Sequence, residues 1–418
     1  MKKIFTKFIA ILSIIVICFS ITGCSLFADD DTGNIKDIPN STTVSKNINF
    51  TTQDPATREE LSYIDAAALV KRAVVAIQVT NSSGSGYGSG VIVDSDFNGL
   101  GENEHYIITC HHVISSGGEI TVYVPDANSL NTGDDGYDSD NYVFTGVIDN
   151  SKNSGAVELV GGDKDGDIAV LRIDTTGRNT NIQAAKVPVN TYKTQYGEQI
   201  FAIGNPSGSA PMTFMAGNIS YLNRKVTISS VGIMNLIQHD SMINHGSSGG
   251  GLFNMYGELI GITNGGSDTY RGLNYAIPFD GDTGYINIAK QLIATETNNN
   301  FGYVTGRWIL GITVQEGTNA HNGETYLKIN SIEPNSIASK CNLQVGDIIR
   351  GVKYNNGAKE VTEEVATQSG FAAIMNEIKY RYRTGQSFTL VVYRNFNDVQ
   401  VTINLDKQFI FCDTGVYN

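Results

Sequence analysis

The sequence is poor in proline, cysteine and tryptophan, with 8 Pro, 5 Cys and 1 Trp in 418 residues. Five cysteines, at 18, 24, 110, 341 and 412, are too few for a disulfide framework in a chain this long. Their spacing fits no metal motif, so neither a metal nor a cofactor is expected. Cys110, Cys341 and Cys412 read as core or surface thiols, and a Cys110–Cys412 or Cys341–Cys412 bridge is compatible with the count. Positive charge is also scarce. Against 42 Asp and Glu stand 29 Lys and Arg, a net charge of −13, which argues against a nucleic-acid partner because binding phosphate needs a basic face. The acidic balance serves solubility as readily as recognition and names no substrate.

What is abundant is glycine, 45 residues, set among many Val, Ile, Thr and Tyr. That composition favours a β-rich body with many tight turns. A hydrophobic fraction of 41% and a charged fraction of 17% are those of a folded protein. The length suits two or three domains.

The N-terminus is distinctive. Lys2, Lys3 and Lys7 precede an apolar run from Phe8 to Ile21, broken by Ser13 and Ser20. The run is short for a membrane span of about 20 residues and right for a signal-peptide core. It ends in Ser20-Ile21-Thr22-Gly23-Cys24. Small residues before a Cys resemble a bacterial lipobox, in which the Cys is lipidated and becomes the new first residue; an uncleaved anchor or plain signal peptide is the simpler alternative. The resemblance implies a lipoprotein signal peptide over 1–23, lipidation at Cys24, and a protein exported and lipid-anchored to the outer face of the bacterial cell membrane. Loss of the leader removes three lysines and no acid, making the mature chain more acidic still.

Residues 24–58 are polar without a sustained period and read as a flexible tether, about 30–35 Å end to end. A short helix is expected over 61–72 from Leu61, Ile64, Ala68, Leu69 and Val70. Short β-type runs then follow one another: 74–79, 90–94, 106–109, 120–124, 142–149, 156–160, 168–173, 199–203, 213–221, 225–230, 234–238 and 259–264. Many short strands between turn signals predict a sandwich or barrel pair rather than βαβ units. The acidic segment 133–140 has an EF-hand-like composition without that loop's properly placed Gly and terminal Glu, and reads as a surface loop. A helix is predicted from Asp282 to Thr295, then a polar break over 296–300, then a second unit over 305–406.

Three segments carry chemistry: Ile107-Ile108-Thr109-Cys110-His111-His112-Val113, Asp163-Lys164-Asp165-Gly166-Asp167-Ile168-Ala169-Val170-Leu171, and Asn244-His245-Gly246-Ser247-Ser248-Gly249-Gly250-Gly251. Singly they are a His closing a strand, an Asp at a turn and a Gly-Ser loop. Jointly they offer what acyl transfer by a serine needs: a base, a carboxylate to orient it, and backbone N–H groups aimed at the oxyanion. The chain order His, Asp, Ser is that of chymotrypsin-type proteases.

In order and spacing these segments resemble the HtrA (Deg) family of trypsin-like proteases. The family's Thr-x-x-His-Val falls on Thr109 to Val113, which implies His112 rather than His111 as general base. Its Asp-[Ile/Leu]-Ala-[Val/Leu]-Leu falls on Asp167 to Leu171, implying Asp167 rather than Asp163 or Asp165. Its Asn-x-Gly-Asn-Ser-Gly-Gly is similar to Asn244 to Gly250, implying Ser248 as nucleophile and an oxyanion hole from Gly246, Ser247 and Ser248. Further matches are Gly86 to Ile92, Ala202 to Pro206, Ala216 to Ser220 and Asn274 to Pro278. His245 and Ser247 depart from the pattern, which puts specificity and activation in question rather than the triad. His245 as an alternative base has poor geometry, with two residues between it and Ser248 across a tight turn. The specificity pocket is expected near Met242 and Ile243; both are apolar, so small or medium aliphatic P1 residues are expected and a basic one would be left unpaired.

Arg307 to Val314, Tyr326 to Ser336 and Asn342 to Ile349 resemble a PDZ domain, in which Leu310, Gly311 and Ile312 would present N–H groups to a peptide C-terminus and a helix near 370–381 would form the other groove wall. The expected fold is therefore mostly β: a chymotrypsin-like double β-barrel protease domain over 59–296 followed by a small α+β PDZ domain over 305–406. The expected function is a serine endopeptidase acting on unfolded or misfolded exported proteins, with peptide C-termini as PDZ partners, and the family resemblance implies a homotrimer. The second reading is a catalytically inactive PDZ-bearing scaffold or holdase at the cell surface.

Overall fold

In the computed structural model, the described residues are 48–405, apart from 94–102, 126–142, 149–153, 179–181, 206–211, 229–230, 267–271, 298–300 and 383–384 and the single positions 282, 320, 322 and 335. Cys24, Cys412 and the acidic segment 133–140 lie outside them. Among the described residues, Cys110 and Cys341 are unbridged thiols and no helix is long and apolar enough to cross a membrane.

The chain docks earlier than a tether ending at residue 58 would allow. Ile48 and Phe50 are buried, Val187 N donates to Thr51 O at 2.9 Å, and Arg58 reaches the fully buried Glu258 with Nη1–Oε2 at 2.9 Å. A buried carboxylate needs such a partner, and Arg58 also lies 4.5 Å from the centroid of the Tyr256 ring. Helix α1 (Tyr63–Val70) follows, capped by Ser62, whose hydroxyl accepts from Asp65 N.

The first half of the body is one antiparallel sheet. Its strands are β1 (Val74–Asn81), β2 (Gly84–Val93), β3 (Glu104–Thr109), β4 (Gly118–Tyr123), β5 (Val143–Ile148), β6 (Ser154–Gly155), β7 (Val157–Asp163) and β8 (Ile168–Asp174), in the order β6-β5-β4-β1-β2-β3-β8-β7. The sheet rolls until β5 meets β7, so closely that a Cβ on Gly146 would stand 2.0 Å from Val157 O. The ring closes through Ala156, between β6 and β7, whose N donates to Thr145 O while its O accepts from Asp174 N, both at 2.9 Å, as expected for the first barrel. The fold of the roll buries Val75, Ile77, Ile92, Ile107, Ile120 and Leu171.

The second half is a closed barrel of β9 (Gln199–Gly204), β10 (Thr213–Ile228), β11 (Gly232–His239), β12 (Gly251–Asn254), β13 (Leu259–Gly266) and β14 (Asn274–Pro278), in the order β10-β11-β14-β13-β12-β9. Closure removes sheet edges. Strand β10 joins the two runs expected at 213–221 and 225–230, with register shifts against β11 between Ile219 and Arg224 and a left-handed Asn223 (φ 53°). A one-turn helix α2 (His111–Ile114) follows β3, and α3 (Tyr285–Thr295) packs back across β7 and β8.

The last unit has its own core around Trp308, Ile312, Phe371, Ile378 and Leu390. Its strands β15 (Ile312–Thr318), β16 (Thr325–Ile332), β17 (Ile348–Asn355), β19 (Ser387–Arg394) and β20 (Asn397–Asn404) run in that order, with β18 (Glu360–Glu364) beside β17. Helices α4 (Ile337–Lys340) and α5 (Gln368–Arg381) complete it. It grips the β7–β8 turn: Arg307 pairs with Asp163 (Nη2–Oδ2 2.5 Å) and Lys379 of α5 with Asp165 (3.4 Å), while Tyr380 Oη donates to Asn235 Oδ1 at 3.0 Å.

One buried group in the barrel is costly. His239 is fully buried, and among the described residues neither ring nitrogen finds a partner in hydrogen-bonding geometry, although the backbone of Ser241 and Tyr275 adjoins the ring. Burial pushes its pKa down to about 4. The unfolded chain therefore takes up this proton near pH 6.5, before the folded one does. Stability is full above pH 6.5 and drains as pH falls toward 4, by up to about 3 kcal/mol. Urea midpoints measured at pH 7 and pH 4.5 should show this slope in the wild type, and His239→Leu should remove that part of it.

Candidate active site

Asp167 stands where β7 turns into β8. Its backbone is left-handed (φ 52°), an unfavoured conformation that Asp tolerates better than most residues. The side chain is completely buried and its oxygens are surrounded by donors: His112 N at 2.8 Å on Oδ1, and His112 Nδ1 at 2.7 Å and Asn264 Nδ2 at 2.5 Å on Oδ2. His112 lies on α2, and the side chain is about one-third exposed. Burial alone would lower the pKa of this imidazole, but the hydrogen bond and charge of Asp167 outweigh it and hold the pKa above the ordinary histidine value. With Nδ1 engaged by a carboxylate, Nε2 is the nitrogen left to exchange a proton outward.

The look-alike residues sit differently. His111 is buried and meets Asp167 through its backbone amide, which donates to Asp167 O at 3.1 Å. Asp163 and Asp165 face Arg307 and Lys379. His245 is exposed.

Ser248 lies in the turn between β11 and β12, half-buried, and its Oγ donates to Asn264 O at 2.8 Å. The hydroxyl thus points to Asn264 O. Asn264 touches both sides of the constellation, its carbonyl taking the serine hydroxyl and its amide reaching Asp167. Gly246 (φ 93°) and Gly249 (φ 85°) use conformations closed to most side chains, and a Cβ on Gly249 would stand 2.1 Å from Ser89 O. Ser247 is buried and its amide donates to Asn244 O at 2.9 Å. Of the three residues expected at the oxyanion hole, Ser247 therefore has its N–H engaged within the turn. Thr263 Oγ1 donates to Ser247 O at 2.6 Å, turning that carbonyl inward. The next amide, that of Ser248, then points the opposite way, because the two ends of a trans peptide oppose each other.

Cys110 packs under this arrangement with Sγ 3.3 Å from Thr263 O, and burial pushes its thiol pKa well above the usual value, as in an inert structural cysteine. Cys110, His112 and Asp167 offer donor atoms within 4.8 Å of one another, yet the 2.7 Å Asp167–His112 contact is that of a hydrogen bond. Met242 is 61% exposed and faces solvent, so the pocket expectation narrows to Ile243, which packs against the barrel cluster of Ile219, Ile237 and Ala276.

In the last unit, Leu310 O accepts from Ala338 N and Gly311 O from Glu333 N, both at 2.9 Å. With these carbonyls turned in, the amides of Gly311 and Ile312 turn out beside the edge strand β15. Gln368, opening α5, spans toward β15 with Nε2 2.7 Å from Val314 O. The sequence reading missed Asn264, Thr263 and Ser89. Ser89 lay within a quoted motif and Thr263 and Asn264 at the end of an expected strand, but nothing in their spacing marks which side chain turns toward the site.

Residues 88–262 match the family described as a trypsin-like peptidase domain and residues 304–376 a PDZ domain. The serine endoprotease DegS of Salmonella typhimurium is 31% identical over 329 residues, covering 77% of this chain and 76% of that protein. DegS of Haemophilus influenzae is 30% identical, covering 67% and 69%. The periplasmic pH-dependent serine endoprotease DegQ of Escherichia coli is 28% identical, covering 77% and 59%.

Asn264→Ala removes the barrel-side donor to Asp167. The carboxylate then holds the imidazolium more strongly, and the His112 pKa should rise further. NMR titration of the His112 ring reads this, and an unchanged or lowered value contradicts it.

Proposed function

The chain belongs to the HtrA/DegS-like family of trypsin-like serine endoproteases with a PDZ domain, and we propose that Ser248, His112 and Asp167 are its catalytic triad. The carrying observation is Asn264, which bonds Ser248 Oγ at 2.8 Å and Asp167 at 2.5 Å, beside the Asp167–His112 hydrogen bond of 2.7 Å. In this reading Ser248 Oγ turns to His112 Nε2, gives up its proton there and attacks the scissile carbonyl carbon. The Gly246 and Ser248 amides stabilise the oxyanion, Asp167 stabilises the imidazolium, and His112 returns the proton to the leaving amine. Water then repeats the cycle on the acyl-enzyme.

The substrates in this proposal are unfolded or misfolded exported polypeptides cut after small or medium aliphatic residues, in keeping with the apolar Ile243. Leu310, Gly311 and Ile312 form the PDZ carboxylate loop, supported by the outward amides beside β15. Lipidation at Cys24 tethers the protein outside the cell membrane, supported by Lys2, Lys3, Lys7 and the apolar run before that cysteine. The trimer rests on family resemblance.

Wild type should cleave unfolded casein, and Ser248→Ala should lower kcat about 10⁵-fold or more. Equal activity in the two removes the nucleophile assignment, and inactivity of both favours the scaffold or holdase reading. Mass spectrometry should place the cuts after Val or Ala, and a matched peptide with Arg at P1 should remain whole. Preferential cleavage after Arg would overturn the pocket assignment.

A further inference from the structure

The motif Gly86 to Ile92 contains one polar residue that the reaction as described leaves without a task. Ser89, on β2, is completely buried, and all its polar groups are engaged. Its Oγ donates to Gly246 O at 2.8 Å and accepts from Asn205 N at 2.9 Å. Its amide donates to Ser248 O at 2.8 Å, and its carbonyl accepts from Thr109 Oγ1 at 2.7 Å. A hydroxyl has one proton, and since Asn205 already supplies a donor, that proton is committed to Gly246.

Three peptide planes make up the turn around Ser248. In the Gly246–Ser247 plane, the carbonyl is held by Ser89 Oγ and the amide by Asn244 O. In the Ser247–Ser248 plane, the carbonyl is held by Thr263 Oγ1, which sends the Ser248 amide outward. In the Ser248–Gly249 plane, the carbonyl is held by Ser89 N and the amide by Thr263 O at 2.8 Å. Ser89 therefore fixes the first plane with its side chain and the third with its main chain. The Gly246 amide remains. With φ at 93° and no Cβ, Gly246 turns easily, so its amide keeps a direction chiefly because the plane after it is anchored. The Ser89 hydroxyl is the side-chain part of that anchor, and Thr109 ties the same residue to the strand that leads to His112.

We infer that Ser89 is a positioning residue for the oxyanion hole, its hydroxyl setting the direction of the Gly246 amide through the Gly246 carbonyl. It acts through other groups and touches no substrate. The inference rests on the protease reading above and goes beyond it by assigning hole geometry to a residue on the opposite half of the body.

Ser89→Ala leaves the Gly246 carbonyl and the Asn205 amide buried without this partner. Loss of a whole oxyanion donor costs about 10²–10³ in kcat, so a loosened donor should cost about 10–100-fold. The effect belongs to the transition state: KM should stay within about threefold, and a peptide boronic acid, whose tetrahedral anion fills the hole, should lose affinity by the same factor as kcat. The acid limb of the pH–rate profile should not move, because Asp167 and His112 are untouched. Ser89→Cys keeps the shape with a weaker donor and should show a smaller loss in both quantities. The idea is overturned if folded Ser89→Ala keeps wild-type kcat and boronate affinity, or if KM rises alone, or if the acid limb shifts with kcat. Should Ser89→Ala not fold, Ser89→Cys decides, and wild-type kcat and boronate affinity in that variant also overturn it. A wild type that neither cuts casein nor binds the boronate overturns the protease reading, and this inference with it.

Discussion

A carboxylate removed from water must be surrounded by donors, and the Asp167 side chain imposes that requirement on both halves of the body. Its oxygens take two hydrogen bonds from His112, on the helix after β3, and one from Asn264, on β13 of the barrel. Leaving such a charge unpaired would cost several kcal/mol. The rolled sheet and the barrel are thus held in one relative arrangement by the group that sets the histidine's proton affinity. The left-handed backbone at Asp167 is the local cost of aiming the side chain there, borne by a turn fixed on either side by β7 and β8.

The turn around Ser248 obeys a different constraint. It is built from glycines so that amides can face outward, and glycines give it no rigidity of their own. The rigidity comes from neighbours: Ser89 on β2, Thr263 on β13 and Asn244 within the turn. Here again one half of the body positions residues of the other. The hydroxyl of Ser248 is bonded to Asn264 O, on the same strand as Thr263.

The remaining parts are attached through charges. Arg58 brings the segment before α1 onto Glu258, whose carboxylate has no exposure of its own. Arg307 and Lys379 bring the last unit onto Asp163 and Asp165, four and two residues before Asp167. Arg is suited to such partly buried pairs because its planar fork meets a carboxylate with two parallel N–H groups, as Arg307 does on Asp163.

Much of this was legible in the sequence, for a physical reason. Strand periodicity, turn glycines and the spacing of His112, Asp167 and Ser248 are local or ordered features, and a linear reading captures them. The strand runs marked between 74 and 264, the helices expected at 282–295 and near 370–381 (found at 285–295 and 368–381) and the family follow from such features. What the sequence could not decide depends on groups brought together from far apart. It marked Met242 and Ile243 alike, and burial separated them. It offered Ser247 as an oxyanion donor, and the Asn244 carbonyl had already taken that amide. It ended the tether at 58, and partners at 187 and 258 dock the chain from residue 48. The residue types and their order sufficed for the chemistry. Which carbonyl turns in, and so which amide turns out, was decided by Ser89 and Thr263, because a backbone's direction is set by its hydrogen-bond partners, and these lie on strands remote from the turn in sequence.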